Sequence, residues 1–183
     1  MNIIIIGAPG SGKDSLSRRI ISQFNNYQVI TTGSIYRKEA EAGTEFGLKA
    51  KEYWSKGCLC PDEMTNNLIV KTISELQNKE NLIFNGYPRT LNQAEFLDTI
   101  TTITLAINLK VDEEVSIKRL FSRDREDDLE DIVRHRFAEY KIRSSSIIEY
   151  YSRSNRIHFI NTSNSSEQET YEKALEILLT EEK

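Results

Sequence analysis

The chain has few of the residue types that build metal sites and disulfide frameworks. Its 183 residues include two cysteines, two histidines and three prolines. Cys58 and Cys60 are separated by a single residue, and His135 and His158 lie far from them in the sequence, so a four-ligand zinc site is not expected. A disulfide at that spacing would be strained. We therefore interpret both cysteines as small apolar side chains.

The sequence also has no long apolar run and no block of like charge. The run from Ile3 to Ile6 is too short for a membrane span or a signal segment, and the mean hydropathy is −0.49. The net charge of −4 gives no electrostatic footprint for nucleic acid. We expect a cytoplasmic protein with no membrane partner and no nucleic-acid partner.

Apolar runs alternate with helical patterns along the chain, without an internal repeat or a low-complexity linker. This alternation predicts an α/β fold with a parallel sheet that is covered by helices on both faces. The predicted strands are 2–6, 28–30, 82–84, 103–109 and 156–160. The predicted helices are 13–25, 63–78, 90–98, 113–123, 129–151 and 167–180.

Residues 31–61 contain no strong strand pattern and carry several glycines between short helical pieces. Long connections in compact domains are more often functional than idle. The segment therefore predicts a small helical insertion at the carboxyl edge of the sheet, where ligands of parallel sheets bind. A plain surface excursion is the alternative.

Residues 7–15 form the glycine-rich stretch Gly-Ala-Pro-Gly-Ser-Gly-Lys-Asp-Ser between the first predicted strand and the first predicted helix. Glycines let backbone N–H groups turn toward a phosphate, the helix N-terminus adds positive potential, and Lys13 adds a full charge. The stretch predicts a nucleoside triphosphate site, although Asp14 stands where the strict motif has Ser or Thr and the hydroxyl follows at Ser15. An ordinary glycine turn with its lysine in solvent is the alternative.

The helix predicted from position 129 carries an arginine on its apolar face. Arg136 lies three residues after Val133 and four before Tyr140, so it shares their side of the helix. A guanidinium there needs an anion, either a carboxylate in a buried ion pair or a phosphate. Further arginines bracket the turn before this helix, and solvated surface charge is their alternative explanation. They are Arg119, Arg123 and Arg125.

Together these motifs resemble those of the adenylate kinases and related nucleoside monophosphate kinases. The resemblance runs over nearly the whole chain, and its motifs are residues 7–13, Thr32-Gly33 with Arg37, residues 58–62, Gly86 to Arg89 with Gln93, Arg119, Arg123, residues 125–128, and Arg136 before Tyr140. It implies a doubly wound, five-stranded α/β P-loop fold. It also implies a single kinase domain over residues 1–183, with a monophosphate-binding insertion at 31–61 and a truncated lid at 121–127.

The resemblance implies reversible transfer of the terminal phosphoryl group of ATP, with Mg²⁺, to a nucleoside monophosphate in a monomeric enzyme. We expect AMP or dAMP as the acceptor, because the Gln93 amide can offer a donor and an acceptor to adenine and Thr32 resembles the hydroxyl residue of adenylate kinases. A UMP or CMP kinase is one alternative. A nucleotide-binding module with weakened catalysis is another.

The resemblance also implies a role for each site residue. The ATP-binding residues would be Gly10, Ser11, Gly12, Lys13, Asp14, Ser15, Arg119 and Arg123. The monophosphate-binding residues would be Thr32, Gly33, Arg37, Cys58, Leu59, Cys60, Gly86, Arg89 and Gln93. The catalytic cations would be Lys13, Arg89, Arg123, Arg125 and Arg136.

Four features depart from the family pattern. Asp14 replaces the usual glycine after the lysine, and Ser34 and Asn85 replace acids that usually hold the waters of Mg²⁺. One hypothesis is that Asp14 partly replaces these acids as a metal or metal-water ligand, with Ser15 supplying a hydroxyl. The alternative is that Asp14 only places favourable charge at a helix N-terminus. The fourth departure, the short lid, predicts slow ATP hydrolysis without acceptor.

Overall fold

A five-stranded parallel sheet forms the centre of the chain. The computed structural model describes residues 1–122 and 129–181. Its strands are β1 (Ile3–Gly7), β2 (Gln28–Thr31), β3 (Leu82–Asn85), β4 (Leu105–Lys110) and β5 (Ile157–Asn161). The strand order is β2-β3-β1-β4-β5, and each neighbouring pair is parallel. The predicted α/β fold class is confirmed.

Helices cover both faces of this sheet. They are α1 (Lys13–Gln23), α2 (Thr32–Glu41), α3 (Glu45–Trp54), α4 (Asp62–Glu75), α5 (Leu91–Ile100), α6 (Glu113–Phe121), α7 (Glu130–Arg153) and α8 (Glu167–Glu181). Side chains of β1 alternate between the two faces, as the period of a strand requires. Ile3 and Ile5 pack with α1 and α8, whereas Ile4 and Ile6 pack with α4, α5 and α7.

Every strand continues one residue beyond its predicted end. The predicted strands stop where the apolar runs stop, but the polar residues that follow still pair in the sheet. Thr31 pairs with Asn85, and Lys110 pairs with Asn161. The carboxyl edge of the sheet is therefore polar, while the strand interiors are buried and apolar.

Helices α2 and α3 fill most of residues 31–61 and form a small core together with Met64 and Leu68 of α4. Tyr36 and Phe46 stack with ring centroids 5.5 Å apart. Cys60 is buried in this cluster, as its interpretation as an apolar side chain requires. The same interpretation is wrong for Cys58, which is exposed after α3 and has its Sγ atom 3.7 Å from Nε2 of His135 on α7.

A partly buried ion pair joins α5 to the start of β5. Two guanidinium nitrogens of Arg156 lie 2.7 and 3.1 Å from the two carboxylate oxygens of Asp98. The Asp98 partner raises the pKa of Arg156. The guanidinium also stacks 4.9 Å from the ring centre of Tyr151. This pair fixes the edge of the sheet far from the glycine-rich loop.

The spacing of Leu129, Ile132, Val133, Phe137 and Tyr140 predicts an apolar face on α7, and the structure has this face with one exception. Val133 and Phe137 are buried on this face. Leu129 is 63 % exposed, because it precedes the first turn of α7 as the N-cap residue and does not reach the sheet. Within residues 1–122 and 129–181, no helix is both long enough and apolar enough to cross a membrane.

Candidate active site

One cavity joins the glycine-rich loop to the helical insertion. Its volume is about 560 Å³, within the usual range for small-molecule sites. It opens at the carboxyl ends of β1, β2 and β3. The chain leaves β1 toward β2 and later returns to β4 on the other side, and such a change of direction is where open α/β sheets bind ligands.

The glycine-rich loop needs its glycines at two positions. Gly10 has a φ of +77°, and a Cβ atom there would lie 2.7 Å from the carbonyl oxygen of Ser116. Gly12 has a φ of +95° and is the N-cap residue of α1. A side chain at either position would strain the backbone, so the loop geometry follows directly from the sequence.

Lys13 folds its ammonium group over this loop. Its Nζ atom donates hydrogen bonds to the carbonyl oxygens of Gly7 and Ala8, both at 2.7 Å. Lys13 is also the first residue of α1, so its charge adds to the positive potential of the helix N-terminus. The loop, the helix and the lysine together form an anion site of the kind that binds phosphates.

The residues after Lys13 place carboxylate oxygens beside the anion site. Oδ1 of Asp14 accepts a hydrogen bond from Nδ2 of Asn85 at 2.7 Å. The Ser15 hydroxyl donates to Oε1 of Glu167, at the start of α8, also at 2.7 Å. Asp14 therefore faces the cavity and the end of β3 instead of turning away from them.

Two arginines bring their charges into the same cavity. Nε of Arg89 donates to the carbonyl oxygen of Gly86 at 2.8 Å. Solvent reaches Arg89 through the open cavity, yet protein surrounds its guanidinium, and this burial together with the Arg136 charge lowers the pKa of Arg89 to about 10. Arg89 therefore remains protonated at neutral pH. An anion between Arg89 and Arg136 would offset their mutual repulsion.

The side of the cavity next to α2 carries further residues that were predicted for the monophosphate site. The Thr32 hydroxyl donates to the carbonyl oxygen of Gly86 at 2.9 Å. The Arg37 guanidinium lies over Gly33, 3.4 Å from where a Cβ atom would stand. Arg37 and Arg89 thus enter one cavity from α2 and from the loop after β3, respectively.

Gln93 lines this part of the cavity but is 2 % exposed. Its Oε1 atom accepts from the backbone N–H of Arg89 at 2.7 Å, and its Nε2 atom donates to Oδ1 of Asp62, also at 2.7 Å. The two ends of the carboxamide are therefore fixed by partners of opposite hydrogen-bonding character.

Arg119 lies near the glycine-rich loop. It donates from a terminal guanidinium nitrogen to the carbonyl oxygen of Thr162 at 2.7 Å. Thr162 in turn donates through its hydroxyl to the carbonyl oxygen of Ser11 at 3.2 Å. Arg119 is thereby tied to the loop through the segment that follows β5.

Most of the residues predicted for the site line this one cavity. They are Gly10, Gly12, Lys13, Asp14, Ser15, Thr32, Gly33, Arg37, Cys58, Leu59, Cys60, Gly86, Arg89, Gln93, Arg119 and Arg136. Ser11 does not line it, because its side chain is buried beneath the loop at 1 % exposure. Arg123, Arg125 and nearly all of the predicted lid lie outside the described residues.

Sequence reasoning missed several residues that line the cavity. Arg143 lies seven positions after Arg136 on α7 and pairs with Glu139 at 2.8 Å, so helical spacing could have found it. Tyr36 lines the cavity beside Cys60, and burial raises its pKa. Glu167 had no local signal, because α8 meets the loop only through the tertiary fold.

Comparisons with known proteins agree with this geometry. The family model described as Adenylate kinase matches residues 5–156. The chain is 37% identical over 177 residues to an adenylate kinase of Azobacteroides pseudotrichonymphae, with 92% of each chain covered. It is 35% identical over 167 residues to an adenylate kinase of Porphyromonas gingivalis, with 86% of each covered. An adenylate kinase of Bacteroides fragilis is 35% identical over 170 residues, covering 88% of this chain and 89% of the relative.

Proposed function

Because the chain belongs to the adenylate kinase family of nucleoside monophosphate phosphotransferases, we propose that it transfers the terminal phosphoryl group of ATP to AMP, reversibly, to give two ADP. The observation that carries this proposal is that one cavity is lined by Lys13 at the glycine-rich loop, by Arg37 of α2, and by Arg89 and Arg136, whose charges interact. A protein that only binds one nucleotide has no need for cations on both sides of a phosphoryl group.

The residues that line the cavity would have two kinds of role, substrate binding and charge stabilisation. Lys13 and the loop amides would hold the donor phosphates, with Arg119 beside the donor base. Arg37 and Arg89 would clamp the acceptor phosphate, for which the planar guanidinium fork suits better than lysine. Arg136 would stabilise the charge of the moving group, as would Arg123 and Arg125. Positioning and cations supply most of the rate in phosphoryl transfer.

The order of events follows from these positions. AMP and ATP bind with their phosphates toward each other, so that an acceptor phosphate oxygen can attack the terminal phosphorus of ATP in line with the leaving oxygen. The bond to the ADP leaving group breaks as the new P–O bond forms, and the arginines would stabilise the negative charge of the phosphoryl group during the transfer. No residue of the chain needs to form a covalent bond with the phosphoryl group.

Mg²⁺ with ATP is the cofactor of the family, and the donor side has residues that fit it. Within residues 1–122 and 129–181, no group of three or more His, Cys, Asp or Glu side chains is placed to hold a metal alone. Mg²⁺ is usually held by one or two carboxylates together with substrate phosphates, which the Asp14 carboxylate beside the loop would satisfy. Such a bound ion neutralises phosphate charge.

We propose that Asp14 supplies a carboxylate in place of the acid that Asn85 lacks. The 2.7 Å hydrogen bond between their side chains puts the Asp14 oxygens at the end of β3, which is where an acid at position 85 would have placed its own. Ser15 would add its hydroxyl only after leaving Glu167. The alternative, favourable charge at the helix N-terminus, is worth about 0.3–1 kcal/mol of stability.

Two variants of Asp14 separate these roles. Asp14→Gly should raise the Mg²⁺ concentration needed for half-maximal turnover, and it should weaken ATP binding in calorimetry only when Mg²⁺ is present. Asp14→Asn keeps the shape and should behave similarly. An unchanged Mg²⁺ dependence in both variants rules out the metal role and leaves only the helix effect.

A phosphotransfer assay over a panel of acceptors tests the proposed function. With MgATP we expect AMP or dAMP to be the preferred acceptor, and two ADP should form for each ATP consumed. Preferential use of UMP or CMP would contradict the assignment of the acceptor. Binding of ATP and AMP without ADP formation would instead support a nucleotide-binding module. The monomeric state and the cytoplasmic location remain predictions.

A further inference from the structure

The orientation of the Gln93 carboxamide is set by two partners that cannot exchange roles. A backbone N–H can only donate, and the N–H of Arg89 faces Oε1 of Gln93 at 2.7 Å. A carboxylate can only accept, and Oδ1 of Asp62 faces Nε2 at 2.7 Å. Turning the amide over would place donor against donor and oxygen against oxygen. Gln93 therefore presents one fixed orientation.

The Asp62 carboxylate is positioned by a second hydrogen bond. Its Oδ2 atom accepts from the Thr90 hydroxyl at 2.7 Å. The same hydroxyl oxygen accepts from the backbone N–H of Gln93 at 3.1 Å and so caps α5. Asp62 begins α4 and does not line the cavity. It therefore acts on a bound nucleotide only through Gln93.

The fixed amide leaves two hydrogen-bonding positions for a ligand. Nε2 carries a second N–H and Oε1 a second lone pair, and in the described part of the chain neither has a partner beyond those named. Gln93 thus offers the cavity a donor beside an acceptor in a set order. A 6-aminopurine has an amino donor next to a ring-nitrogen acceptor, and it matches this pair. A 6-oxopurine has an acceptor at position 6 and a donor at N1.

A 6-oxopurine cannot rotate to align its donor and acceptor with Gln93, because its phosphate is bound at a fixed place. Arg89 lines the cavity, where its guanidinium is proposed to bind the acceptor phosphate, and its backbone N–H donates to Oε1 of Gln93. The phosphate position and the amide orientation are therefore defined by one residue. A base with its donor and acceptor in the reverse order would place its donor against the Nε2 donor of Gln93 and its acceptor against the Oε1 acceptor.

We propose that Asp62 is a positioning residue that makes the acceptor site select 6-aminopurine over 6-oxopurine monophosphates, because it fixes the direction of the Gln93 carboxamide. This inference rests on the proposed phosphotransfer to AMP and adds a residue that does not touch the nucleotide. A correctly made bidentate amide–base pair discriminates by about 10- to 100-fold, which is the preference expected for AMP over IMP in the natural chain.

The test compares kcat/KM for AMP and for IMP, with MgATP, in the natural chain and three variants. Asp62→Ala removes the acceptor for Nε2 and should lower the AMP/IMP ratio about tenfold, the effect of one lost charge-assisted hydrogen bond. Asp62→Asn keeps an acceptor oxygen and should retain most of the ratio. Glu63→Ala is the matched control, because Glu63 is the next acid in the first turn of α4 and is exposed.

A second measurement keeps the test independent of turnover. In the natural chain the Gln93 side-chain amide protons should exchange slowly with solvent in NMR spectra, and in Asp62→Ala they should exchange faster. If Asp62→Ala does not fold, Thr90→Val removes the hydroxyl that holds Asp62 and should lower the ratio in the same direction.

The outcomes separate this inference from the proposed function. If the natural chain makes no ADP from ATP and AMP, the proposed function fails. If it does, but Asp62→Ala slows AMP and IMP equally and leaves the ratio unchanged, Asp62 is merely structural and the inference is overturned. A loss of the ratio in Glu63→Ala of the same size would also overturn it.

Discussion

Replacing Arg89 by alanine should separate catalysis from folding stability. Burial and the nearby Arg136 charge lower the pKa of Arg89 to about 10, so its charged form is disfavoured in the protein itself. Because pH 7 lies well below that value, Arg89 stays protonated and the two like charges face one cavity. A phosphate placed between them makes charge-assisted hydrogen bonds to both. The arginine is thus favourable when substrate is bound and unfavourable otherwise.

The size of each effect follows from the contacts. Arg89→Ala removes the guanidinium fork that is proposed to bind the acceptor phosphate, and charge-assisted bonds contribute about 1.5–3 kcal/mol each. A loss of roughly 3–4 kcal/mol corresponds to a decrease of about 10²- to 10³-fold in kcat/KM for AMP. The variant also loses the 2.8 Å bond from Nε to Gly86, but relief of the repulsion by Arg136 offsets that loss. We expect Tm to change by less than about 2 °C.

The assay measures kcat/KM for AMP at saturating MgATP and Tm by scanning calorimetry. Arg134→Ala is the matched control, since Arg134 is an arginine on α7 that does not line the cavity and pairs with exposed Glu130 at 2.8 Å. Arg89→Lys retains the charge without the fork and should fall between the alanine variant and the natural chain. A Tm that falls by more than about 5 °C, or an AMP efficiency within tenfold of the natural chain, would refute the reasoning.

Three further predictions concern the loop, the sheet edge and the lid. Gly10→Ala should weaken ATP binding more than tenfold in calorimetry, because its Cβ atom would lie 2.7 Å from the Ser116 carbonyl oxygen at a φ of +77°; unchanged affinity would contradict the strain. Arg156→Met leaves the Asp98 carboxylate partly buried without its cation, at a cost of about 2 kcal/mol after allowing for solvent access. Its Tm should fall by about 4–8 °C with turnover at 25 °C unchanged, and loss of turnover without a lower Tm would be unexpected. If residues 121–127 form the truncated lid that the sequence predicts, phosphate release from ATP without acceptor should exceed the buffer rate, and a rate equal to buffer removes that idea.

The strands and the glycine-rich loop could be predicted because each is determined by a pattern of consecutive residues. Four isoleucines in a row, followed at once by a glycine-rich turn, indicate a short strand that is buried on both faces. Gly10 and Gly12 permit the positive φ angles of the loop, and this local property does not depend on contacts with distant residues. The inward position of Arg136 follows in the same way from the period of α7.

The contacts that orient the site could not be predicted, because they join residues that are distant in the sequence. Ser15 meets Glu167 across 152 positions, and Asp14 meets Asn85 across 71. Asp62 and Gln93 are 31 positions apart and meet only because α4 and α5 pack side by side. No local pattern encodes such distances. Gln93 itself was found as a candidate, but the partners that fix its amide were not.

The charge of the cavity explains why composition said little about the ligand. Of the described residues that line it, seven are Lys or Arg and three are Asp or Glu, a net of +4 in a chain whose total is −4. Charges farther apart than about 8 Å are largely screened at physiological salt, so the remote carboxylates act weakly on a phosphate that is bound among the cations. The overall charge therefore disfavours long anionic polymers such as nucleic acid, whereas the fold gathers enough positive charge for two nucleotides at one place.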